Sequence, residues 1–204
     1  MNIPSELSDE DLLLRMMAGD EDAFTALYRR RQGGIYRFAL QITGNSGIAE
    51  EITQETFLTL IRRPHRFDST RGSLAAFLFG VARNLVLQRI GPEQSYVGQN
   101  GASNSDCSQP GREKETSAGW DPGMEYERSQ MIEQVRRAVR VLPSIYREVV
   151  VLCELEEMSY EETASVLGCA VGTVRSRLHR GRTLLMERLS VLLSAESKFN
   201  SGKA

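Results

Sequence analysis

Arg175, Ser176, His179, Arg180 and Thr183 fall on one half of a helix that begins near Val171, with Arg177 and Arg182 on its flanks. From Gly172 to Arg182 there is no carboxylate. Arginine presents a rigid fork to guanine edges and phosphates, and short hydroxyls bond either, so such a face suits the major groove of DNA. For the arginines alone an ordinary solvated basic face is the alternative. Two further sets carry possible chemistry. Glu50, Glu51, Gln54 and Glu55, with Leu58 among them, share one side of a helix and fit a docking surface for a basic partner; a solvated acidic face is the alternative. Phe77 and Phe79, followed by Arg83, Asn84, Gln88 and Arg89, have the types that stack on and hydrogen-bond unstacked bases, although phenylalanines at that spacing also build cores.

These sets need helices to hold them, and the sequence marks where the helices start and stop. Ser8 and Asp11 form a capping box for a helix reaching about Ala18, and Gly19-Asp20 breaks it and caps the next. Phe24, Leu27 and Tyr28 give a helical stripe that resumes after Gly33-Gly34 with Ile35, Phe38, Ala39 and Ile42; the paired glycines weaken the helix and allow a bend. Gly44-Asn45 is a stop. The acidic helix is expected from about Gly47 to Arg62, with Ala49, Ile52, Thr56, Phe57 and Leu60 on its core side, and Pro64 ends it. A loop through Phe67 and Arg71 leads to a largely buried helix, expected from Ser73 to Ile90.

From Gly91 to about Tyr126 the composition turns to Gly, Ser, Gln, Asn and Pro without apolar period, as in a linker, and acids outnumber bases in it. Trp120 is its one large apolar residue. A second domain is expected from Met131, with Val135, Val139 and Leu142 on one stripe and Pro143 opening a helix that carries Ile145, Val149, Leu152 and Leu155. Ser159 and Glu162 form a second capping box, Gly168 ends that short helix, and Val171, Val174, Leu178, Gly181 and Leu185 line the core side of the basic one. The pair reads as a helix-turn-helix. Beyond Ser190 the chain is expected to tail off in polar residues.

The expected fold is therefore all-α: two small helical domains joined by a flexible linker, the second containing the helix-turn-helix. The boundaries read as 1–90, linker 91–130, 131–190 and a tail 191–204. The formal charge is only −2, whereas a protein that grips DNA unaided usually has a strong positive excess, so DNA binding here is local or assisted by a partner. Of the 25 basic residues only Lys114, Lys198 and Lys203 are lysine. Cys107, Cys153 and Cys169 have no metal-site spacing, His65 and His179 are isolated, and no phosphate loop or catalytic triad signature is present. No metal, cofactor or enzymatic activity is expected. The apolar run from Leu74 to Ala82 is too short for a membrane span and the N-terminus is acidic, so a cytoplasmic protein without membrane insertion is expected.

The segments AEEITQETFLTLIRRPHRFDSTRGSLAAFLFGVARNLV and LPSIYREVVVLCELEEMSYEETASVLGCAVGTVRSRLHRGRTLL resemble, in order and separation, the two conserved regions of the extracytoplasmic-function sigma factors, the promoter-specificity subunits of bacterial RNA polymerase. The match covers most of residues 9–90 and 131–189. The resemblance implies that the first domain docks on core RNA polymerase through Glu51, Gln54 and Glu55, beside Leu58, and opens the minus-ten promoter element with the 67–73 loop and Phe77, Arg83, Asn84 and Gln88. It implies that the second domain reads the minus-thirty-five element of promoter DNA with Arg175, Ser176, His179 and Arg180, flanked by Arg177 and Arg182. Phe77 stands where many relatives have tryptophan, and Ala170 where they often have a capping serine or a proline. The hydrophobic and acidic surfaces offer an anti-sigma protein places to bind without identifying one. Two other classes fit parts of the chain: a stand-alone helix-turn-helix regulator, which leaves the acidic helix unexplained, and a polymerase-binding adaptor that never opens a promoter.

Overall fold

The capping signals are realised at the positions where the chain turns. The computed structural model describes residues 7–96 and 122–200, with side chains described over 7–90 and 131–190. Helix α1 spans Asp9–Met17, and Ser8 and Asp11 close the expected capping box. Helix α2 spans Glu21–Thr43, its first turn capped by Asp20, which accepts from the Ala23 amide at 3.0 Å. Gly44 takes φ +68°, which an L side chain resists, and Asn45 then caps α3, Ser46–Arg62. Two 3-10 turns, Pro64–Arg66 and Ser69–Arg71, lead into α4, Leu74–Tyr96. After the segment outside the described residues come α5, Pro122–Arg140, and α6, Ser144–Val150, which widens into a π turn over Val151–Leu155. Helices α7, Tyr160–Leu167, and α8, Val171–Asn200, complete the fold, and among the described residues there is no strand.

The first domain packs α2 against α1, α3 and α4 around Leu12, Leu27, Ile35, Phe38, Leu60, Leu74, Leu78 and Val86, all essentially inaccessible to solvent. Each such side chain contributes about 1.5–3 kcal/mol of burial relative to exposure. The second domain closes α6, α7 and α8 over Leu142, Val149, Leu152, Val174 and Leu178. Gly181 lets α6 and α8 meet: a Cβ there would lie 2.7 Å from Val150 Cγ2. The two domains also touch. Helix α4 packs on α7 and α6, α2 on α5 and α6, and the buried apolar residues form one contiguous cluster across both.

The helices run further than the sequence reading placed them. Helix α2 is continuous through Gly33-Gly34, where the sequence allows a bend. Helix α4 passes Ile90 and runs through Gly91 and Pro92 to Tyr96, although a proline inside a helix removes one amide bond and crowds the carbonyl four residues before it. Helix α5 begins at Pro122, within the segment expected as linker, with proline as its first residue, where its missing amide is harmless. Both ends of the segment expected as linker are thus helical. Finally, residues 191–200 continue α8; five of the ten, Val191, Leu192, Leu193, Ala195 and Phe199, are apolar rather than polar, and none is the glycine or proline that would weaken a helix. Trp120 and Cys107 lie outside the described residues.

Candidate functional site

Helix α3 is sharply two-faced. Ala49, Ile52, Thr53, Thr56, Phe57 and Leu60 are buried, and the two threonines turn their hydroxyls back onto the carbonyls of Ala49 and Ile52 at 2.7 Å. On the other side Glu50, Glu51 and Gln54 are exposed and Glu55 is half-exposed. Leu58 is 38% exposed and Ile61 47%. Ile61 went unnoticed in the sequence; its spacing of three from Leu58 was the available signal. Two arginines lean on the acids: Arg89 of α4 pairs with Glu51, and Arg62 with Glu55 at 3.3 Å. Both pairs are solvated, so they hold little energy against a better-placed cation.

The loop before α4 is held by Asp68. Its carboxylate accepts from the Thr70 hydroxyl at 2.6 Å and the Thr70 amide at 3.0 Å, and these bonds hold it below its ordinary pKa. Phe67 meets Phe77 edge-on with ring centroids 5.9 Å apart, so Phe77 is half-buried under the loop. Phe79 is core, edge-on to Phe38 at 5.7 Å. Asn84 and Gln88 are exposed and follow Phe77 on one stripe of α4. Arg83 is turned away from that stripe: its Nε donates to Glu148 Oε2 of α6 at 3.2 Å, and only 22% of its side chain is exposed.

In the helix-turn-helix, Ser159 accepts from the Glu162 amide at 3.1 Å while Glu162 accepts from the Ser159 amide, and Gly168 takes φ +64° to end α7. Val174, Leu178 and Gly181 face inward. Arg175, Ser176, His179 and Arg180 are all exposed, as their spacing predicts. The Arg175 guanidinium lies over the Tyr160 ring, 5.7 Å from its centroid. Ser176 and Thr183 bond carbonyls of their own helix, those of Thr173 and His179. The flanking arginines differ from these. Arg182 donates twice to Glu154 Oε1, at 3.0 and 2.5 Å, and Arg177 is half-buried within the field of Glu148.

Ala170 precedes α8 and offers no side-chain acceptor to the free amides of its first turn. Ala170→Ser should therefore stabilise the second domain by about 1 kcal/mol, read as a rise in urea midpoint at unchanged slope. An unchanged midpoint would mean that the first turn is already satisfied.

Two short matches and several long ones place this geometry among known proteins. The family model Sigma-70 region 2 matches residues 27–94, and Sigma-70, region 4 matches residues 132–185. The ECF RNA polymerase sigma-E factor of Escherichia coli (strain K12) is 32% identical over 195 residues, covering 92% of this chain and 97% of that protein. The ECF RNA polymerase sigma factor SigW of Bacillus subtilis (strain 168) is 27% identical over 186 residues, covering 90% and 98%. The ECF sigma factor SigE of Mycolicibacterium smegmatis is 31% identical, and there the alignment spans 65% of the relative. The fold is that of the sigma factor RpoE solved in complex with the anti-sigma factor NepR from Bartonella quintana, with a TM-score of 0.60 at 23% identity over 82% of this chain and 97% of that one. With both domains in order and a relative of this identity aligned along nearly its whole length, the chain belongs to the extracytoplasmic-function RNA polymerase sigma factors.

Proposed function

We propose that this chain binds core RNA polymerase through the exposed face of α3, with Glu51, Gln54 and Glu55 as its polar contacts and Leu58 and Ile61 as apolar ones, and directs it to a defined promoter set. The first domain, α1 to α4, engages the melted minus-ten strand with the 67–73 loop and with Phe77, Asn84 and Gln88, joined by Arg83 once it has exchanged Glu148 for phosphate. The second, α5 to α8, lays α8 in the major groove of the minus-thirty-five element with Arg175, Ser176, His179 and Arg180. Arg177 and Arg182 fit flanking contacts that first exchange an internal partner for phosphate. The observation that carries the reading is the pairing, on one chain, of an acid-bearing exposed face on α3 with an exposed face on α8 that carries no acid from Gly172 to Arg182.

Sigma factors are non-catalytic initiation factors, so the chain itself carries out no reaction, and it works in the cytoplasm where polymerase and promoter are. No helix among the described residues is long and apolar enough to cross a membrane. Core polymerase and promoter DNA are its partners, and an anti-sigma protein of the kind seen with the RpoE relative is a third. The near-neutral charge fits a subunit whose polymerase supplies most of the DNA affinity. As a test, Arg175→Ala and Arg180→Ala in the reconstituted holoenzyme should each cost about 1–3 kcal/mol of promoter affinity and relax preference at one base pair. A loss spread evenly over all sequences would recast the residue as a phosphate contact.

A further inference from the structure

Helix α1 carries none of the residues assigned to polymerase or DNA, yet its first turn is held in three ways. Ser8 and Asp11 close the capping box. Asp9, 5% exposed, accepts from Arg30 Nη1 at 2.8 Å and from Arg31 Nε at 2.5 Å, both on α2. Leu12 and Leu13 enter the core. On this fixed platform Glu10 bonds outside its own helix: its Oε1 accepts from the Leu74 amide, the first of α4, at 3.0 Å. That amide is one of the four that a helix start leaves without an internal partner. Leu74 is fully buried, so water is a poor substitute and an unmet donor there is costly.

The bond falls at the joint between the 67–73 loop and α4. The front of the loop is fixed locally, by Asp68 on Thr70 and by Phe67 against Phe77. At its rear Gly72 takes φ +146°, a conformation that L side chains rarely adopt, and a glycine joint holds no direction of its own. Ser73 serves another amide, that of Ala76 at 3.2 Å, and its hydroxyl donates to Glu162 of the second domain. Glu10 belongs to the first domain, so its bond holds wherever the second domain goes. We propose that Glu10 is a positioning residue for promoter opening: by holding the first amide of α4 it sets the exit of the 67–73 loop, and with it the placement of Phe77 one turn further on. This rests on the assignment of that loop and Phe77 to the melted strand. Glu10 acts through the Leu74 backbone, and the acceptor oxygen rather than the charge does the positioning.

Three full-length variants separate acceptor from charge. Glu10→Gln keeps an oxygen in the same place and loses the charge; Glu10→Met keeps the length of the stem and loses the acceptor; Glu10→Ala loses both. Each is assembled with core polymerase on a promoter fragment. Permanganate reactivity of minus-ten thymines reads opening, fluorescence anisotropy in the cold reads closed-complex binding, and core capture with circular dichroism reads docking and fold. Misplacement by about 1 Å costs up to about 100-fold where alignment matters, so Glu10→Ala and Glu10→Met are expected to lose about tenfold in opening and Glu10→Gln less than about twofold. Closed-complex binding and core capture should stay at the wild-type level in all three. If the alanine variant does not fold, the methionine and glutamine variants decide alone. Opening at the wild-type level in the methionine variant would overturn the proposal, as would a glutamine variant as impaired as methionine, or an equal loss in core capture. Where the wild-type chain opens the promoter and the variants match it, the proposed function stands and only this inference falls. Where the wild-type chain opens no promoter, the loop assignment fails and takes this inference with it.

Discussion

Reversing Glu51 and Glu55 together to arginine is expected to abolish co-purification with core RNA polymerase while leaving the helix content unchanged. Both carboxylates are largely solvated, and their internal partners, Arg89 and Arg62, form exposed pairs of a kind worth about 0–1 kcal/mol each. The fold loses little, and the melting temperature should fall by only a few degrees. At the docking surface the change is far larger, because a like-charge juxtaposition across an interface costs several kcal/mol and each 1.4 kcal/mol is tenfold in affinity. Leu58 and Ile61 remain in place, so a residual apolar attraction does not rescue orientation. Affinity capture on tagged core polymerase, with far-ultraviolet circular dichroism as the folding control, reads both halves. Undiminished capture would remove α3 from the docking surface.

Gly181→Leu should produce the opposite pattern, with polymerase binding retained and promoter reading lost. A single added carbon would already stand 2.7 Å from Val150 Cγ2 and 3.5 Å from the Tyr146 carbonyl, and Val150 is buried where it cannot yield. Overpacking of this kind costs about 1–3 kcal/mol and more for a larger side chain, which exceeds the roughly 1 kcal/mol of helix propensity gained by losing glycine. A loss of about 3 kcal/mol lowers the melting temperature of a domain of about 60 residues by roughly 12–24 °C. That is a large share of the ~3–9 kcal/mol such a domain has. A melting temperature within a few degrees of wild type would contradict the close approach of α6 and α8.

What the sequence revealed and what it hid follow from distance along the chain. Ser8 with Asp11 and Ser159 with Glu162 are legible because both members of a capping box lie three residues apart and each restricts the other's type. The exposed half of α8 and the two-faced α3 are legible because helical spacing alone divides core from surface. Arg37 with Glu156 and Arg83 with Glu148 are 119 and 65 residues apart, and nothing local in either member names its partner. Gly34 illustrates the limit best. Its local meaning is a weak point in a helix, whereas its actual neighbour is a carboxylate from the other domain. The composition shift at Gly91 hides the end of α4 in a similar way, since the helix expected to end at Ile90 runs on to Tyr96.

The assignment to promoter-specific initiation meets its most direct test in transcription with purified core RNA polymerase on genomic promoter fragments, with duplex binding by the chain alone as the control. The expected result is discrete transcripts that appear only when core polymerase and this chain are both present, with no sequence-specific binding to duplex DNA by the chain alone. Tight, specific duplex binding without core polymerase, together with no transcript when core is added, would contradict it.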